Sequence, residues 1–389
     1  MKIFVTGYGV ISAIGEGEES LNSFKAMQSG VTNGDSEATK AYKLGIVKMS
    51  NEELRTRYAL NNSGSRTAIL GMVAAKKAFE GHELLKEVKT GLISGTSVGG
   101  MDVTEEEYKK NIKGEEIDPS GYIHHSSGVS SQGIARELGI NDFVNTISTA
   151  CSSANNAIMM GARMIKNGIL DRVVVGGTDS LTLFTMNGFR SLMINDSEWC
   201  RPFDNSRQGL NLGEGAGFIV LESEKSIAKT NKEPIVELKG WGSASDAHHQ
   251  TASSDNGYGA QLAMKEALGV ANLKPENINY INAHGTATPN NDLSESHAIK
   301  AVFGSTIPAF SSTKAFTGHT LAASGGIEVV FSIMAIKKGL LLPNLNFTTS
   351  IEETKLIPQL TFEEGREINN VLSNSFGFGG NCSSIILGK

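Results

Sequence analysis

Residues 152–175 read SSANNAIMMGARMIKNGILDRVVV, and residues 322–346 read AASGGIEVVFSIMAIKKGLLLPNLN. Each opens on small residues, carries apolar positions at helical spacing and reaches a glycine before a further apolar run. Superposing MIKNGIL on AIKKGLL sets Gly168 against Gly339. The same offset puts Cys151 opposite Ala322, just after His319. A second echo links the opening KIFVTGYGV to IVELKGWGS, which follows Pro234. Chance likeness between two amphipathic helices competes with this reading. One unit of strands and helices fused to its copy accounts for both echoes. The predicted halves are residues 1–233 and 234–389. Corresponding helices would then lie side by side at a pseudo-twofold centre, where Cys151 and His319 converge.

The rest of the chain fits that unit. Short β-rich runs such as TGLISGTSVGG, DRVVVGGTDS, GFIVLESE and SSIILG alternate with helical stretches such as SRTAILGMVAAKKAFEG. Strands alternating with helices of this length predict an α/β protein whose sheets are covered on both faces. The 44 glycines against 8 prolines point to tight strand-to-helix turns rather than linkers. Residues 101–127 are polar, and read as an insertion of loops and short helices.

Composition narrows the class. At 389 residues the chain is too long for one small core, and its 39% hydrophobic and 20% charged residues suit a globular protein. A net charge of −6 argues against nucleic acid as the main partner. No run approaches the ~18 apolar residues of a membrane span. The opening MKIFVTGYGVISAIG, broken by glycines, reads as a first strand rather than a signal peptide. The cysteines at 151, 200 and 382 are odd in number and lack CxxC spacing, which fits a reducing compartment. A cytoplasmic protein is expected.

Four stretches carry chemistry. Cys151 follows a Ser-Thr-Ala run and opens a helix, where the positive dipole end lowers a thiol's pKa. A buried free cysteine is the competing explanation. YINAHGTATPNNDLSES ends a strand near His284 and carries Asp292 and Glu295. SSTKAFTGHTLAASGGIEVV holds Lys314, His319 and Glu328, and SNSFGFGGNCSSIILG holds Phe376 and Phe378 in a glycine-rich turn. The histidine pairs at 124–125 and 248–249 invite a metal reading. Adjacent strand residues point to opposite faces, and no Cys/His ligand set accompanies them, so no metal is expected.

Taken together, TACSSA, CRPFDNSRQGLNLGEGAG, SASDAHHQT, NAHGTATPNND, STKAFTGH and NSFGFGG resemble the elongating β-ketoacyl-acyl-carrier-protein synthases of the thiolase superfamily. The resemblance spans essentially the whole chain. It implies a thiolase-like fold of two duplicated α/β halves in a five-layered αβαβα arrangement. It implies a Cys-His-His site of Cys151, His284 and His319, with Lys314 and Glu328 beside it and Phe378 as gate in the GFGG turn. Phe376 goes with that turn. The backbone N–H groups of Cys151 and Phe378 would form the oxyanion hole. Thr286, Thr288 and Thr251 would bind a pantetheine arm. The acyl chain would arrive on the phosphopantetheine of an acyl-carrier protein, with no other cofactor. A twofold homodimer, or a heterodimer with a related subunit, would close the chain pocket near Val98.

The same resemblance sorts relatives. Degradative thiolases use a second C-terminal cysteine as base, but Cys382 lies in GFGGNCSSI and reads as packing. Chain-length-factor subunits lack the nucleophile, so Cys151 speaks against a silent acyl-carrier-binding partner. Three departures remain. Leu210 stands where the family usually has Phe, Asn381 and Cys382 replace a usual Thr-Asn, and the region 34–60 is trimmed. These favour a specialised pathway, such as an aryl-polyene or other polyketide-like system, over housekeeping fatty-acid elongation.

Overall fold

The computed structural model describes all 389 residues. Ten strands form one mixed sheet. From one edge they run Ala309–Ser311, Tyr280–Asn282, Asn370–Gly377, Asn381–Gly388 and Val236–Ser245. The order continues through Ile3–Ile11, Gly215–Ser223, Arg172–Asp179, Thr90–Gly95 and Phe143–Ile147. Counted outward from the centre, each half begins with two antiparallel pairings and ends with two parallel ones. The halves join where Ile3–Ile11 pairs antiparallel with Val236–Ser245, the two strands of the second echo. Parallel and antiparallel joins require different connections. A sense pattern repeated strand by strand is what a copied unit produces.

The helices Ser153–Lys166 and Ser324–Lys338 lie between the two halves and touch strands of both. They are the counterparts of the first echo. Basic residues fill their last turns, and each stops at a left-handed glycine, Gly168 (φ 68°) or Gly339 (φ 65°). Ser324–Lys338 is buried on every side from Ser324 to Ile336, as a helix of an innermost layer must be. Its backbone lies directly on a strand. A Cβ on Gly217 would come within 2.3 Å of the carbonyl carbon of Gly326, so a side chain there would push the layers apart.

Helices Arg66–Ala78 and Ser127–Leu138 cover the outside of the N-terminal half, and Tyr258–Ala271 and Pro289–Phe303 cover the other. Five layers result, the thiolase-like α/β arrangement implied by the resemblance. No helix is long and apolar enough to cross a membrane.

Residues 101–127 hold a full helix, Met101–Lys113, followed by a 3-10 turn, Pro119–His125. Its stability comes from polar devices that apolar periodicity does not detect. Asp102 sits in the first turn, Lys110 and Lys113 in the last, and Glu106–Lys109 and Glu107–Lys110 pair along its length.

Candidate active site

Cys151 sits on an elbow between the strand Phe143–Ile147 and the helix Ser153–Lys166. Ala150 adopts φ 51°, a left-handed conformation that costs energy for a residue with a Cβ. The small hydroxylated neighbours hold it there. Ser153 Oγ donates to the Ala150 carbonyl at 2.6 Å, and Ser152 Oγ donates to the Thr149 carbonyl at 2.8 Å. From the opposite half, Ser375 Oγ donates to the Cys151 carbonyl at 2.8 Å.

The thiol does not behave as its place in the sequence predicts. Ser152 is the N-cap, so Cys151 stands one residue outside the helix. Burial pushes the thiol up to about 12, against the pull of the Lys314 charge.

Two imidazoles face it. His319 Nε2 lies 3.1 Å from Cys151 Sγ. The Leu321 backbone N–H donates to His319 Nδ1 at 3.2 Å, so Nδ1 is an acceptor and the proton resides on Nε2. His284 reaches the same tautomer by another route. Lys314 Nζ lies 3.3 Å from His284 Nδ1 and donates to the His284 carbonyl and to Glu328 Oε1, each at 2.5 Å. An ammonium can only donate, which leaves the Nε2 proton of His284 facing the cavity side. The rings stand nearly perpendicular, with centroids 5.4 Å apart. Burial, and then the Lys314 charge, hold both imidazoles well below their usual pKa. Both are neutral N–H donors. Burial also raises Glu328 to about 7, against the Lys314 charge.

The Cys151, His284 and His319 donor atoms lie within 4.8 Å of one another, the one such cluster in the chain. Protons on both Nε2 atoms make them hydrogen-bond donors rather than metal ligands. The other histidine pairs are not on strands, as the sequence reading took them to be. His124 and His125 end a 3-10 turn, and His248 and His249 lie in an exposed loop.

The site opens into a cavity of about 270 Å³ whose wall includes Cys151, His284, His319, Leu210, Phe376 and Phe378. The GFGG turn closes on Cys151. A Cβ on Gly377 would lie 3.0 Å from Cys151 N and 2.9 Å from the Thr149 carbonyl oxygen. Phe378 stacks on Phe189, with ring centroids 5.8 Å apart. Phe376 meets His284 edge-on at 5.7 Å. Thr286 and Thr288 line the wall with hydroxyls 2.9 Å apart, and Thr251 lies on an exposed loop at the mouth.

Other expected residues lie off the cavity wall. Lys314 and Glu328 lie behind His284 and off the wall. Val98 is also off the wall, packed in one apolar cluster with Leu210, Met186 and Leu321. Cys382 packs beside Phe376 as read, and also reaches the wall.

Three buried carboxylates escaped the sequence reading as supports. Glu295 accepts the backbone N–H groups of His284 (2.9 Å) and Gly285 (2.8 Å). Asp292, three residues earlier on the same helix, accepts those of Phe203 and Ala287. Asp179 accepts from the Ser97, Val98 and Ala322 N–H groups and so ties the two halves together. The available signal was an acidic pair at i, i+3 directly after the histidine motif.

Comparison with known proteins agrees with this geometry. Residues 2–226 match the family described as beta-ketoacyl synthase, N-terminal domain, and residues 235–348 match its C-terminal domain. The chain is 31% identical over 407 residues to a 3-oxoacyl-[acyl-carrier-protein] synthase 2 of Staphylococcus aureus, covering 100% of this chain and 98% of that protein. Its fold is similar to the ishigamide ketosynthase/chain length factor, with TM-score 0.91, 29% identity and coverage of 100% and 99%. It is also similar to a type II polyketide ketosynthase bound to a hexaketide, in complex with its acyl-carrier protein. There the TM-score is 0.89 and the identity 26%, over 100% and 98% of the two chains.

The chain belongs to the β-ketoacyl synthase family. It is an acyltransferase of the 3-oxoacyl-[acyl-carrier-protein] synthase class.

Proposed function

We propose that Cys151 accepts an acyl chain from an acyl-carrier thioester and that the two histidines then drive its decarboxylative Claisen condensation with malonyl-acyl-carrier protein. One observation carries this reading. A buried thiol meets two neutral imidazoles, each presenting an Nε2–H, in a cavity closed by the GFGG turn.

In the first half-reaction Sγ attacks the thioester carbonyl. Its proton goes to the departing pantetheine sulfur, and the tetrahedral oxyanion is held by the N–H groups of Cys151 and Phe378. In the second, the malonyl carboxylate leaves as carbon dioxide. Its electron pair passes to the thioester oxygen, where the His284 and His319 donors stabilise the enolate. The α-carbon then attacks the acyl-cysteine, a C–C bond forms, the C–S bond breaks, and the departing cysteine sulfur takes a proton from solvent. Lys314 fixes the His284 tautomer and Glu328 balances its charge. Thr286, Thr288 and Thr251 bind the pantetheine arm that delivers each chain, and no further cofactor enters.

The silent-partner alternative is not favoured, because nucleophile and both donors are present in register. We assign residues 1–233 to the half that carries the nucleophile and 234–389 to the half that carries the histidines. The three cysteines, all free, fit the cytoplasm. The strand Phe143–Ile147 supports a dimer. It is a sheet edge of neutral residues with one face of its ladder unpaired, a template for antiparallel pairing with a second copy or a related subunit. Sedimentation should give a dimer. Val98→Phe, pressing on Leu210 and Leu321, should shorten the accepted chains while the shortest still transfer at the wild-type rate. A monomer of full activity, or an unchanged chain preference, would refute this part.

Leu210 favours a specialised pathway. It is buried on the cavity wall beside Phe189 and Ile194, where the family usually has a flat ring. We read the differently shaped space as room for a rigid or unsaturated chain. Leu210→Phe should lower kcat/KM for polyunsaturated or aryl-primed chains by about ten- to a hundredfold relative to saturated ones. Measured side by side, a ratio that stays put makes Leu210 a packing substitution.

A further inference from the structure

Between the strand Val236–Ser245 and the helix Tyr258–Ala271 the chain loops over the cavity mouth. Its far end is anchored by the Asp246 carboxylate, which accepts from Ser254 N–H and Ser254 Oγ, both at 2.6 Å, and from Gly259 N–H at 2.8 Å. The stretch from His248 to Ser253 is exposed except at Ala252 and Ser253, which are half-buried. It is fastened to the rest of the protein at two points. The Gln250 carbonyl accepts the N–H of Gly379 at 2.8 Å. Ser253 exchanges two bonds with Asn290: its N–H donates to Oδ1 at 2.7 Å, and Nδ2 donates back to its carbonyl at 3.0 Å.

The glycine turn depends on this loop. Gly379 and Gly380 have φ of 80° and 76°, outside helix and strand conformations. Gly379 bonds to Gln250, and the Gly380 carbonyl accepts the Asp246 N–H at 2.8 Å. Phe378 is the residue immediately before these glycines. A side-chain amide that clasps both backbone groups of one residue fixes position and orientation together, which a single bond does not.

We propose that Asn290 is a positioning residue for the oxyanion turn: by clasping Ser253 it fixes the Gln250 carbonyl, and through Gly379 it holds the Phe378 N–H against Cys151. The inference rests on the reading that Cys151 takes up acyl groups. It separates the two half-reactions at saturating carrier, because the enolate donors are held from the other side, by Leu321 and Lys314, while Thr251 on the loop bears on carrier binding in both.

The test compares two rates. Acyl loading of the full-length protein at saturating acyl-carrier thioester is followed by rapid-quench mass spectrometry. Carbon dioxide release is measured at saturating malonyl-carrier in a Cys151→Gln background. Asn290→Leu should slow loading about tenfold at saturation, the scale of a small misplacement of a reacting group. Decarboxylation should stay unchanged. Asn290→Asp keeps the acceptor for Ser253 N–H and loses the donor, so its loading rate should fall between the two. Loading of Asn290→Leu at the wild-type rate overturns the proposal, and so does a parallel fall in both rates, which marks general damage. If the wild type itself takes up no acyl group while Cys151→Gln behaves as folded, the reading of the reaction fails, and this inference with it.

Discussion

A Cys151→Gln protein is expected to release carbon dioxide from malonyl-carrier without forming a condensation product. Adding His284→Ala or His319→Ala should lower that release roughly 10²–10³-fold, the usual cost of one lost oxyanion donor. The reason lies in the tautomers. Leu321 N–H and Lys314 Nζ each occupy an Nδ1, so both Nε2 protons are available to one developing negative charge. Neither imidazole has to gain or lose a proton to do this. Burial and Lys314 keep both well below their ordinary pKa, so release should not drop as the pH falls through neutrality. Trapped labelled carbon dioxide gives the rate directly. An alanine variant that matches the Cys151→Gln parent removes that histidine from the mechanism.

The second large effect concerns the thiols. Cys151→Ala should reduce condensation to background, whereas Cys200→Ala and Cys382→Ala should retain it. Thiol acidity does not make this distinction, since burial pushes all three up to about 12. Geometry does. Only Cys151 has an imidazole donor at 3.1 Å, while Cys200 Sγ faces the Lys314 carbonyl at 3.8 Å. Product formation assayed in the three variants settles the assignment, and activity lost with Cys382 but kept without Cys151 would reverse it.

These residues also show what a sequence can and cannot disclose. The repeat was legible because a helix of the inner layer must keep its small and apolar residues at set places. Gly168 and Gly339 therefore still mark the same turn. The motifs around Cys151, His284 and His319 were legible because chemistry fixes residue type and local spacing together. Burial was not. A thiol one residue before a helix looks activated on paper, while the burial that pushes it up comes from packed layers distant in sequence. The supports were hidden for a related reason. Glu295 and Asp179 act on backbone N–H groups, which carry no residue identity, so their partners leave no mark in the sequence. Val98 packs in one apolar cluster with Leu210, which itself lines the cavity wall.

This protein is expected to carry its acyl chain on Cys151. Intact-protein mass spectrometry after mixing with a panel of acyl-carrier thioesters tests it most directly. A gain of one acyl group per chain is expected, located by digestion to the peptide containing Cys151 and absent from Cys151→Ala. An acyl gain that persists in Cys151→Ala, or a folded wild-type protein that gains none from any member of the panel, would contradict it.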